Sequence, residues 1–352
     1  MKKSYLFILG FLIAFLCNVS CVKNEIYTFD KNVKLDYTMS MSKVRPATKA
    51  LSANQLVFAD TNVFQSYAYY LPKGTPWNYS TVSGDNGAKE YFNTDVIVSK
   101  NTTENVWKDP NNDWYWPKTY ALTFFAWSLN APTLDFPAGS STIVTCTDQN
   151  GIVAMYYDIE DNKNVDFLVA DIAADKTANE NVYTYYGVPT LFRHKLSQFQ
   201  ATVSKKENYE GIEFTLNDIT FNDLNKDGNY TQHPDTLVTG TARTDQVYTD
   251  SDQKVVSTTP ESVSDVEQYI YLPQQFDDDK TIMITYTIGY DTDGDGTTDL
   301  EEQVTNTYKL SDIFGSEGFK PGVKYNLNLV FKLDQIYWDP AIENWDDKTF
   351  VI

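Results

Sequence analysis

Thr281-Ile282-Met283-Ile284-Thr285-Tyr286-Thr287-Ile288-Gly289-Tyr290 places Ile, Ile, Tyr, Ile and Tyr at the even positions, with mostly Thr between them. Successive side chains of a strand point to opposite faces, so this stretch reads as a β-strand with one buried and one wet face. Tyr325, Leu327, Leu329, Phe331 and Leu333 repeat the pattern, with Asn326, Asn328 and Lys332 opposite. Ile212, Phe214 and Leu216 share one parity, whereas Ile219 and Phe221 take the other. A β-bulge near Asn217-Asp218 would absorb that one-residue slip. Leu122-Thr-Phe-Phe-Ala-Trp127 is apolar on both parities, which predicts a strand covered on both faces. No long stretch keeps a period of 3.6, and the gaps are rich in turn residues, so the predicted class is all-β sandwich.

A chain of 352 residues predicts about two domains. Apolar residues at 42%, with 25 Tyr, 20 Phe and 7 Trp, suffice to fill two cores. A net charge of −20 with three arginines excludes nucleic acid as a partner, because phosphate binding needs clustered basic side chains. The sequence carries no nucleophile elbow, no metal-ligand histidine pair and no convincing acid–base dyad, so it does not read as an enzyme.

Met1-Lys2-Lys3 precedes an uncharged stretch from Tyr5 to Leu16. As a helix this stretch rises about 18 Å, short of a hydrocarbon core about 30 Å thick. Residues 1–20 therefore read as a signal peptide. Ser20 before Cys21 resembles the processing box of bacterial lipoproteins, with Asn18 where Leu is usual; there the cysteine receives lipid (palmitate) and anchors the chain to the outer membrane, the alternative being an ordinary secretory signal. With Cys21 lipidated, Cys146 is the thiol left to the mature chain, so no intramolecular disulfide is available. Residues 21–50 have weak patterning and read as an extended leader. The segment Tyr183–Pro189 reads as a junction between an N-terminal sandwich, 51–189, and a C-terminal one, 190–352.

Trp116-Pro117, Leu122–Trp127, Phe167–Ala170 and Phe192–Leu196 occur in that order. Tyr271–Phe276, Phe319–Tyr325 and Asp339–Trp345 then follow to the end. This series resembles the fimbrillin family, the subunits of type V pili, from the leader to the last residues. The resemblance implies two tandem transthyretin-like Greek-key β-sandwiches and a structural or tip subunit of a surface fimbria supporting adhesion. It also implies donor-strand assembly with other fimbrial subunits, and contact with host or bacterial surface ligands. In that scheme a protease cuts after an arginine, a strand within the leader leaves, and a neighbour's segment fills the vacated groove. Arg45 is the arginine that precedes the folded region. Pro46 follows it, and trypsin-like enzymes cleave Arg–Pro bonds poorly, so Lys49 is the alternative. Pro340–Ile352 is the candidate donated segment.

Asp291-Thr-Asp293-Gly-Asp295-Gly296-Thr297-Thr-Asp299-Leu-Glu-Glu302 fits the twelve-residue calcium loop, including Gly at position six and Glu at twelve. Asp291, Asp293, Asp295, Asp299 and Glu302 would supply side chains, and Thr297 its carbonyl. The flanks read as strands, so calcium would staple a hairpin tip; the bland alternative is a polar turn. Asp223–Tyr230 repeats only the first half of the pattern, and there the turn reading prevails. His194 has no nucleophile cluster near it in sequence and reads as a packed histidine. Trp114, Trp116 and Trp127 read as core, although exposed together they would suit a surface glycan-binding lipoprotein, the alternative function.

Overall fold

The computed structural model describes residues 29–41, 58–80, 82, 87–162, 165–178, 187–240, 242–263, 269–333 and 336–344. In chain order the first strands are β1 (Phe29–Lys34), β2 (Tyr37–Met41), β3 (Phe64–Pro72), β4 (Lys89–Glu90), β5 (Val96–Asn101), β6 (Val106–Lys108), β7 (Tyr115–Pro117) and β8 (Tyr120–Ser128). Next come β9 (Ile143–Thr147), β10 (Gly151–Asp158), β11 (Leu168–Ala170), β12 (Ala173–Lys176) and β13 (Val188–His194). Pairing runs β8–β11–β13–β2–β6–β5–β3 and returns to β8, which closes these strands into a barrel-like ring. Closure removes open edges along the ring. β4 and β12 attach to its rim, and β1 pairs with β7 beside it.

β8 shows why one strand had to be apolar on both parities. Ala121 to Ser128 are all buried. Leu122, Phe124 and Ala126 fill the ring interior with Trp107, Trp116 and Phe192. Phe125 and Trp127 point outward into a second core.

The second half comprises β14 (Ser197–Lys205), β15 (Ile212–Asn225), β16 (Asp227–Thr231), β17 (Thr236–Thr239), β18 (Ala242–Val255), β19 (Glu261–Ser262) and β20 (Tyr269–Tyr271). It ends with β21 (Thr281–Tyr290), β22 (Leu300–Lys309), the short helix α1 (Leu310–Phe314), β23 (Val323–Phe331) and β24 (Ile336–Asn344). Sheet β19–β14–β23–β24, with β20 on β14, lies against sheet β18–β15–β21–β22. The two faces meet through Phe199–Phe221 at 4.9 Å and Tyr286–Phe331 at 4.9 Å between ring centroids. Ile282, Ile284, Tyr286 and Ile288 are buried, as their spacing required. The ladders of β15 slip between Leu216 and Asp218 on both sides, which is the bulge that turns Ile219 and Phe221 inward. The alternation of β23 stops at Phe331; Leu333 is half exposed because the strand has ended.

The halves are sewn together. β16 leaves the second half and pairs with β10, making a sheet β17–β16–β10–β9 from both parts of the chain. Two cores were expected, one per sandwich, but the chain divides them otherwise. One core lies inside the ring; the other joins Phe125, Trp127 and Phe167 of the first half to Phe199, Phe221 and Tyr230 of the second. The junction expected at Tyr183–Pro189 is followed by β13, which runs from Val188 through residues assigned to the second domain. Its pairing with β2 and β11 holds it in the ring.

Candidate functional site

β2, from the stretch read as a weakly patterned extended leader, is a member of the ring. It pairs in parallel with β13 from Tyr37↔Val188 to Phe192↔Met41, a full ladder. On its other side it meets β6 at the single pair Tyr37↔Trp107. Leu35 and Tyr37 are buried. The Tyr37 ring stands edge-on to Phe64 at 5.3 Å and to Phe124 at 6.0 Å, and its hydroxyl donates to Ser66 Oγ at 3.0 Å. Burial pushes that hydroxyl well above the ordinary tyrosine range. The Leu35 N–H donates to the Trp114 carbonyl at 2.8 Å, and the Val188 N–H to the Asp36 carbonyl at 2.7 Å. Gly187, at φ +76°, lets the chain turn into β13 where a Cβ would lie 2.8 Å from the Tyr37 backbone. The signal was present in sequence as Val33, Leu35, Tyr37 and Met39, a period of two too short to stand out.

Cys21, Arg45, Lys49 and Trp345–Ile352 lie outside the described residues. Arg45 follows soon after Met41, the last residue of β2. At the other end, β24 is an edge strand: it pairs with β23 and carries Pro340 opposite Leu327. Proline is tolerated in a strand where its missing N–H faces away from the ladder.

The acidic loop caps the β21–β22 hairpin, as the strand-like flanks required. The structure brings Asp291, Asp293 and Asp299 together, with carboxylate oxygens within 4.8 Å of one another. Asp291 accepts from the Gly294 and Gly296 N–H groups at 2.7 and 2.9 Å. Asp299 accepts from the Thr292 N–H at 2.8 Å and hydroxyl at 2.6 Å. These bonds, side chain first, hold the Asp299 carboxyl below its usual range. Asp295 turns instead to the Thr297 hydroxyl and N–H, at 2.5 and 2.8 Å. Glu302 is already in β22, opposite Ile288, and accepts from the Tyr290 hydroxyl at 3.4 Å. The loop thus departs from the twelve-residue pattern at Asp295 and Glu302, because strand pairing resumes at Leu300. The half-pattern at Asp223–Tyr230 is the corner from β15 into β16, where Lys226 reaches Asp158 at 3.4 Å and Glu160 at 3.1 Å.

His194 is buried and bonds through Nδ1 to Asp166 at 2.9–3.0 Å. Asn130 reaches the same carboxylate at 3.3 Å and accepts from Asn62 at 2.8 Å. This network ties β3, β8, β11 and β13 at one end of the ring, a packing role. Trp116 and Trp127 are buried and Trp114 is half-buried against the ring core. No shared stacking surface is presented by these three, which removes the main support for glycan binding. Cys146 is a free thiol at the edge of the small sheet.

A family model described as fimbrillin-like matches residues 77–345. A crystal structure of a fimbrial protein from Bacteroides vulgatus ATCC 8482 matches with a TM-score of 0.65 at 18% identity, covering 89% of this chain and 100% of that one. That likeness is one of fold. A candidate cell adhesion protein from Bacteroides uniformis ATCC 8492 matches with a TM-score of 0.49 at 15% identity, covering 89% and 97% respectively. No curated protein matches the chain. The family match spans most of the sequence, including both halves and the shared sheet, so the chain belongs to the fimbrillin-like family, which is structural and adhesive rather than enzymatic.

Proposed function

We propose that this chain is a structural or tip subunit of a surface fimbria, exported as a lipoprotein through Cys21 and assembled by donor-strand exchange. The observation that carries the reading is the place of β2. It completes the ring with a full ladder on one side and a single residue pair on the other. A cut after Arg45, or at Lys49, would free the segment that holds β2. Its loss would leave β13 with unpaired N–H and C=O groups beside the hollow filled by Tyr37. An open edge with pockets for alternate side chains is what β-augmentation requires. The segment from Pro340 onward is the candidate donor to a neighbour. On this reading the two halves are variants of the transthyretin-like sandwich, the first closed by its leader, and the protein acts at the cell surface in adhesion.

The test is an unheated SDS gel of the sheared cell-surface fraction, probed for this chain. Detergent-stable multimers that collapse on boiling are expected, and Arg45→Ala should abolish them while leaving a cell-bound monomer. A monomer band alone in the wild type would overturn strand exchange for this subunit.

The same reading gives the β21–β22 tip a calcium ion held by Asp291, Asp293 and Asp299, with carbonyl or water oxygens completing its shell.

A further inference from the structure

The sheet β17–β16–β10–β9 ends at β9, which pairs with β10 and with no other described strand. Ile152 of β10 donates its N–H to Gln232 Oε1 at 3.0 Å and accepts from the Gln232 N–H at 2.8 Å. Its backbone therefore faces away from β9, and Cys146↔Ile152 is a non-hydrogen-bonded pair. The backbone groups of Cys146 point outward, and alternation puts those of Val144 on the same open edge. The Cys146 carbonyl accepts from the Tyr69 hydroxyl at 3.2 Å. Natural edge strands are usually blunted by charge or proline. Ile143-Val-Thr-Cys-Thr147 has neither, and Ile143, Thr145 and Thr147 are exposed.

Beside this edge lies a cleft of about 410 Å³, reaching the face of β3 and lined by Gln65, Tyr67, Tyr69, Glu90, Asp95 and Cys146 among others. Among the described residues, no lysine, arginine or histidine lines it. Gln65 donates to Asp95 at 3.2 Å. Glu90 and Asp95 bring two carboxylates to the cleft, so its electrostatics disfavour an anionic occupant. An uncharged open edge next to an anionic, aromatic-floored cleft is complementary to one kind of occupant.

We propose that the β9 edge and this cleft form a strand-addition site for an extended segment of a partner protein carrying a lysine or arginine. The segment bonds through its backbone to the N–H and C=O of Val144 and to the N–H of Cys146, whose carbonyl Tyr69 already occupies. Its alternate side chains enter the cleft, where the basic one meets Glu90 and Asp95 beside the rings of Tyr67 and Tyr69. The site is separate from the place of β2 and does not depend on the fimbrial reading.

The test uses the full chain and two labelled peptides, acetyl-Thr-Val-Lys-Val-Thr-Val-amide and the same peptide with glutamate for lysine. Fluorescence anisotropy should show the lysine peptide binding at least about tenfold more tightly. Val144→Pro removes an edge N–H and leaves the β10 ladder, while Glu90→Gln removes charge alone and spares the fold. Each should weaken the lysine peptide about tenfold, with circular dichroism unchanged. Equal affinity for the two peptides, no binding of either up to about 1 mM, or wild-type affinity in the well-folded Glu90→Gln chain would overturn the proposal.

Discussion

The Tyr37 hydroxyl and Ser66 Oγ, 3.0 Å apart, join the leader strand to the ring in a buried hydrogen bond. Tyr37 also forms the ladder pair of β2 with β6, opposite Trp107. Its aromatic body and polar tip therefore seat the whole strand.

Truncating that side chain should unseat β2. Tyr37→Ala is expected to cost about 3–5 kcal/mol, the range for a large buried aromatic. Tyr37→Phe keeps the packing and orphans the Ser66 hydroxyl, for about 1 kcal/mol. Urea denaturation of the full chain separates the two, and equal midpoints would show that Tyr37 does not hold the strand.

Gly187→Ala acts on the same strand from the other side. The new Cβ would meet the Tyr37 backbone at 2.8 Å, in a backbone conformation that alanine adopts at a cost. A loss of about 1–3 kcal/mol is expected, concentrated in β2 and β13. Hydrogen exchange should show their amides opening faster while those of β15 and β21 are unchanged.

Asp36 gives the seat of β2 a pH dependence. Burial raises its carboxyl above its ordinary value of 3.8, so the folded chain holds this proton to higher pH than the unfolded chain does. Stability from this group is fully present below 3.8 and declines as pH rises through the raised folded value. Asp36→Asn should flatten that decline and raise the neutral-pH melting temperature; an unchanged pH profile would remove Asp36 from the account.

The hairpin tip responds to acid with the opposite sign. Asp295 and Asp299 are lowered by side-chain bonds from Thr297 and Thr292 first, then by backbone bonds. Their contribution is present above 3.8 and lost as pH falls through the depressed folded values. The Thr292 and Thr297 amides should lose protection against hydrogen exchange, relative to their intrinsic rates, in acid. Calcium should raise the melting temperature of the wild type and leave Asp293→Ala unaffected. Wild-type melting that ignores both calcium and chelator would rule out the ion.

Much of the architecture was legible locally. The even positions of Thr281–Tyr290, the slip at Asn217-Asp218 and the double-sided run Leu122–Trp127 each fix which side chains are buried. Burial follows from the pleat, and the pleat has a period of two whatever the fold. The tip loop was legible too, but the carboxylates that converge in it were not. Which carboxylates converge depends on where pairing resumes, and resumption at Leu300 draws Glu302 into the strand.

The sequence by itself determined the strands, their buried faces and the bulge, because these are set by neighbours along the chain. Only the tertiary structure decided which strands pair. Alternation in β2 does not say that it will lie parallel to β13, nor that β16 will cross to β10 and divide the cores between ring interior and shared layer. Those choices rest on contacts between residues far apart in sequence, where Tyr37 finds Ser66 and Phe167 finds Tyr230. Periodicity records the face a side chain takes, and the partner is selected by the packing of the whole chain.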